Sequence, residues 1–221
     1  LGVTETIHST VLGEDRLLNI ALPQGYHPDS AARYPVIYLL DGGAGEDFIH
    51  IAGLAQFAAF EWVGWLPPSI VVGIGNTDRK RDLTHPTTIA KDKASYPSTG
   101  GSGAFMQFLA QELTPFVEAH YRTTGTRTLI GQSLGGLFAT EVLLRMPHLF
   151  QHYLIISPSL WWDDGSVLRL PTDVLDAPDI GVSTVYIALG QEGRAMVHGA
   201  KRLAAQLRKH PGFRVGFSHP P

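Results

Sequence analysis

Short apolar runs alternate along the chain with longer stretches in which apolar positions recur every three or four residues, and no segment repeats at a fixed period. Residues 6–12 (TIHSTVL) and 16–22 (RLLNIAL), parted by Gly13, Glu14 and Asp15, predict an antiparallel pair of strands. The continuous apolar runs VIYLL (36–40) and SIVVGIG (69–75) have the pattern of central strands buried on both faces. RTLI (127–130), HYLIISPS (152–159), STVYIALG (183–190) and FRVGF (213–217) predict four more strands. Helical spacing covers 46–60, 134–146 up to the stop at Pro147, and about 194–209. The segment AFMQFLAQELTPFVEAHY also reads as helix, but Pro115 near its middle predicts a kink or two abutting helices.

Strand, helix and strand in this order require right-handed crossovers. They predict the α/β class: a mostly parallel sheet of about eight strands with helices on both sides. One segment does not fit the alternation. Residues 76–103 are rich in Thr, Pro, Ser, Gly and charge, and are too long for an ordinary connection, which predicts a functional or mobile loop.

Composition narrows the picture. A chain of 221 residues, 44% apolar and 17% charged, carries enough core-forming volume to exclude disorder and predicts one domain spanning 1–221. A net charge of −3 provides no field for phosphate backbones or anionic lipid, so nucleic acid is not an expected partner. The absence of cysteine removes thiolate nucleophiles, disulfides and Cys-ligated zinc, and without an HExxH pattern no metal site is expected. No run approaches the ~18 apolar residues of a membrane span. A soluble protein without a membrane partner is therefore expected, with cytoplasm and periplasm both open, and monomer and dimer both open. The first residue is Leu1, and the chain stops at His219, Pro220 and Pro221 directly after a strand-like run, which predicts a shortened C-terminus.

The sharpest local signal is Gly131-Gln132-Ser133-Leu134-Gly135, a G-x-S-x-G pattern between a predicted strand and a predicted helix. Such a turn holds a serine in a strained conformation at a helix N-terminus, and small neighbours give the backbone room. The expected roles are Ser133 as nucleophile and the Leu134 N–H as one oxyanion donor. A second donor comes from a glycine after an earlier central strand, where Asp41-Gly42-Gly43 stands, so Gly42 or Gly43 is expected to supply it.

Beyond these residues, the chain resembles the putative-esterase branch of the α/β hydrolases, which includes enterochelin- and siderophore-esterase-like proteins and relatives of esterase D. The resemblance runs through YPVIYLLDGG (34–43), IGNTDRKRDLTHP (74–86), GGSGAFMQFLAQELTPFVEAHYRT (100–123), RTLIGQSLGGLFAT (127–140) and ISPSLWW (156–162). It implies an α/β-hydrolase fold and a serine hydrolase acting on esters. Two features depart from the family pattern. Gln132 stands where members usually have His, and the chain reads FSHPP where members carry a Gly-rich segment with His-Gly-Ser and continue.

A serine hydroxyl needs an imidazole to take its proton. The chain order serine, acid, histidine of this fold leaves His219, after the last strand, as the expected base. His198 and His210 are expected to be solvated. Glu192, after STVYIALG, is the expected acid, with Asp163 and Asp164 as rivals and a Ser-His pair alone also open. Arg79 and Arg81 are candidates to bind an anionic or catecholate-like oxygen, against a structural ion pair of Arg81 with Asp82. Trp161 and Trp162 are candidates to stack on an aromatic acyl or alcohol group, against core packing for one of them. The expected reaction is cleavage of a small-molecule carboxylic ester through an acyl-enzyme, without a cofactor. The substrate is a siderophore-type, small acyl or aryl ester. An acyltransferase or thioesterase on the same nucleophile, or a non-catalytic scaffold that only binds ligand, are the rival readings.

Overall fold

The computed structural model describes residues 2–220. Eight strands, β1 (Val3–Ser9), β2 (Glu14–Ala21), β3 (Tyr34–Leu39), β4 (Ile70–Ile74), β5 (Thr123–Gln132), β6 (His152–Ile156), β7 (Thr184–Ala188) and β8 (Arg214–Ser218), form a mostly parallel sheet in the order β1-β2-β4-β3-β5-β6-β7-β8. All eight expected strands are present, with ends displaced by a few residues. The chain divides into two compact units, 1–77 with 104–128, and 78–103 with 129–221.

In the first unit β1 and β2 pair antiparallel around Gly13, which adopts φ 66°. β2 runs antiparallel to β4, and β4 parallel to β3. Val36, Tyr38 and Leu39 of β3 and Ile70 to Val72 of β4 are buried, as expected of a central pair. Helix α1 (Phe48–Ala58) follows β3. The predicted helix containing Pro115 is indeed interrupted. Helix α4 (Ser102–Phe108) passes through a π-helical turn, Leu109–Leu113, into α5 (Thr114–His120), with Pro115 in the first turn of α5, where a missing N–H does no harm. The π turn presents Glu112 to the β1–β2 turn, where its carboxylate accepts the N–H groups of Thr10 and Val11 at 2.9 and 3.1 Å and the hydroxyls of Ser9 and Thr10.

In the second unit β6, β7 and β8 are parallel neighbours. Helix α6 (Leu134–Arg145) leaves the end of β5 and is buried on nearly every face. Helix α7 (Arg194–Leu207) is amphipathic, with Ala200, Leu203, Ala204 and Leu207 turned inward. Residues 76–103 are not devoid of regular structure. They contain α2 (Arg79–Asp82), capped by the Asp78 carboxylate, and α3 (Ala90–Ser95), and they bury Asp82, Thr84, His85 and Thr87. Proline, threonine and charge signal the absence of long elements here, but the segment still buries hydrogen-bonded side chains. Among the described residues no helix is long and apolar enough to cross a membrane.

Candidate active site

The end of β5 turns into α6 at Ser133, whose φ of 57° and ψ of −115° lie outside the regions an L-residue adopts without strain. The surroundings enforce this conformation. A Cβ on Gly131 would come within 2.3 Å of the Gly135 carbonyl oxygen, and one on Gly136 within 2.9 Å of the Pro158 Cα. The Ser133 N–H donates to the Ile156 carbonyl at 3.0 Å, and its carbonyl accepts the Ser159 N–H at 2.9 Å. The side chain is left partly exposed, with its Oγ 3.2 Å from the Ser159 Oγ. Leu134 opens α6, so its N–H has no intrahelical acceptor, and among the described residues nothing else accepts it.

The other expected site residues separate into two groups. Gly42 does not carry a free donor: its N–H donates to the Ile74 carbonyl at 2.9 Å. A Cβ there would lie 2.3 Å from the Gly73 Cα, so this glycine is required by the close approach of two backbones. The N–H of Gly43 meets only a side chain, the Glu46 carboxylate at 2.7 Å, an acceptor that can swing away. Of the two glycines, Gly43 is thus the one whose N–H meets no backbone carbonyl.

His219 follows β8 by one residue, and β8 lies three strands from β5. At the spacing of neighbouring strands this is ~14 Å, beyond the joint reach of an imidazole and a serine hydroxyl. Among the described residues no imidazole hydrogen-bonds Ser133 or Glu192. Glu192 does stand in the loop after β7, half-buried. Its rivals are otherwise engaged or remote: Asp163 accepts the Thr87 hydroxyl at 2.7 Å, and Asp164 is exposed beside Arg169. Burial alone would raise the Asp163 pKa, but hydrogen bonds from Ser166, Thr87 and the Thr88 N–H outweigh it and hold the carboxyl below its ordinary range.

The two arginines part company. Arg81 pairs through Nε with the buried Asp82 carboxylate at 2.7 Å, the structural alternative, whereas the Arg79 Nη2 approaches the carbonyl of Gln132, the residue before the nucleophile, at 3.5 Å. The tryptophans divide similarly. Trp162 is fully buried and donates its indole N–H to the His85 carbonyl at 2.9 Å, so it is core and not pocket wall. Trp161 is 40% exposed and leans against Tyr96, whose ring in turn lies 4.6 Å below the Lys80 ammonium. His210 is not solvated as expected but buried, with Nδ1 2.6 Å from the Asp176 carboxylate.

Sequence reasoning missed two residues beside the nucleophile, Gly136 and Ser159, and a buried ion pair elsewhere, on Glu141 of α6. Gly136, like Gly131, has no room for a Cβ. Ser159 sits beside the nucleophile. His85 and Glu141 form a buried pair 3.7 Å apart, supported by Ser102 on Glu141 at 2.7 Å, Arg145 on Glu141 at 2.8 Å and Ser166 on His85 at 2.8 Å. Burial would raise the Glu141 pKa, but His85, the Ser102 hydroxyl and Arg145 together hold it below the usual value. The repeated serines of Ser157-Pro158-Ser159 and the buried position of Glu141 on α6 were visible signals, but neither says which groups meet.

The match to known proteins fits this geometry. The model of the Putative esterase family matches residues 9–206. The chain belongs to that family. It is 35% identical to the ferri-bacillibactin esterase BesA of Bacillus subtilis over 179 residues, which is 75% of this chain and 62% of that protein. A siderophore triacetylfusarinine C esterase of Aspergillus fumigatus is 31% identical over 170 residues, 71% of this chain and 56% of that protein. The chain thus spans somewhat over half the length of these two esterase-family relatives. Among solved structures, an IroE-like serine hydrolase from Shewanella oneidensis superimposes with a TM-score of 0.89 at 32% identity, covering 100% of this chain and 74% of that one. The fold of this family member is accordingly of the α/β-hydrolase type.

Proposed function

We propose that this chain forms a single α/β-hydrolase domain that cleaves carboxylic esters through an acyl-enzyme on Ser133. The observation that carries the reading is the strained φ and ψ of Ser133, held where β5 meets α6, with a partly exposed hydroxyl and a vacant Leu134 N–H beside it. A strained conformation kept by two close glycine contacts and two backbone hydrogen bonds is difficult to explain as packing alone.

In this mechanism Ser133 Oγ attacks the ester carbonyl and the oxyanion that forms accepts the Leu134 N–H. A histidine takes the serine proton and returns it to the leaving alcohol, and water then repeats the sequence to release the acid. His219 is the base to be tested and Glu192 the group that orients it; both roles require the segment after β8 to leave the place described above and bring its imidazole to Ser133. Similarity to BesA supports a siderophore-type ester as substrate class. Arg79 and Trp161 offer a guanidinium and a half-exposed indole to such a ligand.

Hydrolysis of short-chain p-nitrophenyl esters, alongside a catecholate trilactone, tests the proposal in the wild type, Ser133→Ala and His219→Ala. Turnover lost in both variants, and a higher kcat/KM for the trilactone, is the expected result. Turnover that survives Ser133→Ala overturns the mechanism, and turnover that survives His219→Ala moves the base elsewhere.

A further inference from the structure

Ser159 is 2% exposed, and a hydroxyl buried to that degree needs a hydrogen-bond partner. Among the described residues its Oγ has one recorded partner, the Oγ of Ser133 at 3.2 Å. The contact is not incidental to a loose loop. The Ser159 N–H donates to the Ser133 carbonyl at 2.9 Å, the Ser133 N–H donates to Ile156 at 3.0 Å, and Pro158 closes on Gly136, so residues 156–159 grip the nucleophile by its N–H, its carbonyl and its hydroxyl.

A pair of hydroxyls shares one hydrogen bond, and the chemistry decides its direction. When the Ser133 proton faces a base, Ser133 has no proton left to offer Ser159, so Ser159 donates. In the acyl-enzyme Ser133 Oγ is an ester oxygen without a proton, and Ser159 can again only donate. On the serine hydrolase reading above, we propose that Ser159 is a second catalytic hydroxyl, donating to Ser133 Oγ as negative charge grows on it in both halves of the reaction. In acylation the base removes the Ser133 proton and the Oγ–C bond forms, with charge on Oγ eased by the Ser159 O–H. In deacylation water adds to the acyl carbon and gives its proton to the base. The C–Oγ bond then breaks, its electron pair goes to Oγ, and the base returns that proton to Oγ. Ser159 keeps its own proton throughout.

The test compares wild type, Ser159→Ala and Ser159→Cys, the last nearly equal in size but a weaker donor. Each is mixed with p-nitrophenyl acetate, and the acyl-enzyme is followed by intact mass while p-nitrophenol release is followed optically; modification by a fluorophosphonate is timed in parallel. Loss of one hydrogen bond to a charged atom slows both acylation and release of the acyl group about ten- to a hundred-fold in Ser159→Ala, with Ser159→Cys between. Unchanged thermal melting is expected, since the backbone bond from residue 159 remains. A purely structural role lowers the fraction of protein that is acylated but leaves the release rate of that fraction at the wild-type value, and this result overturns the proposal. A wild-type protein that never becomes modified on Ser133 defeats the hydrolase reading itself, and the role of Ser159 falls with it.

Discussion

The turn after β3 and the turn after β5 are built alike: each carries a non-glycine residue at positive φ, Asp41 at 54° and Ser133 at 57°, and each leads towards a helix. Their polar groups are used differently. Asp41 is buried, its carboxylate takes the Asn76 amide at 2.7 Å, its carbonyl takes the Asp47 N–H, and the N–H of the next residue, Gly42, is bound to Ile74. At Ser133 the hydroxyl is partly exposed and the N–H of the next residue, Leu134, is vacant. Positive φ therefore marks a tight turn in both places, and only the unused donors and the exposed side chain distinguish a site for chemistry from a fixture of the scaffold.

The comparison breaks most visibly at its glycines. Gly131→Ala drives a Cβ against the Gly135 carbonyl, and the displaced nucleophile loses about a hundred-fold or more in ester hydrolysis, read as initial rates. Gly42→Ala meets backbone at Gly73 and lowers stability by about 1–3 kcal/mol in urea unfolding.

Smaller effects sharpen the same division between scaffold and chemistry. Arg81→Ala leaves the buried Asp82 with one ion-pair partner fewer and lowers the melting temperature, whereas Arg79→Ala raises KM for anionic esters. The smallest effect is the pH dependence of Glu141. Its pKa in the folded state lies below the unfolded value, so its contribution to stability is present above the ordinary carboxylate range and is lost as pH falls through the folded value. Glu141→Gln is less stable than wild type at neutral pH, and the gap closes on acidification, as followed by unfolding at stepped pH.

The fold was legible because each strand is an apolar run bounded by turn residues, from VIYLL to STVYIALG, and eight such runs gave eight strands. Ser133 was legible because G-x-S-x-G between strand and helix implies a particular turn. What could not be read was partnership. Gly42 declares a need for a small residue but not whether that need is a donor or a close backbone. Trp161 and Trp162 are chemically identical neighbours of which only one reaches solvent. That Arg81 meets Asp82 is decided by the fold. His219 follows the last strand as expected, yet only the strand order reveals the three-strand gap to Ser133.

The central claim is that Ser133 is a poised nucleophile, and its most direct test is covalent. Incubation of the 221-residue chain with a fluorophosphonate, followed by intact mass and peptide mapping, should give one adduct, located on Ser133 and absent from Ser133→Ala. No adduct, or an adduct that persists in Ser133→Ala, would contradict the account.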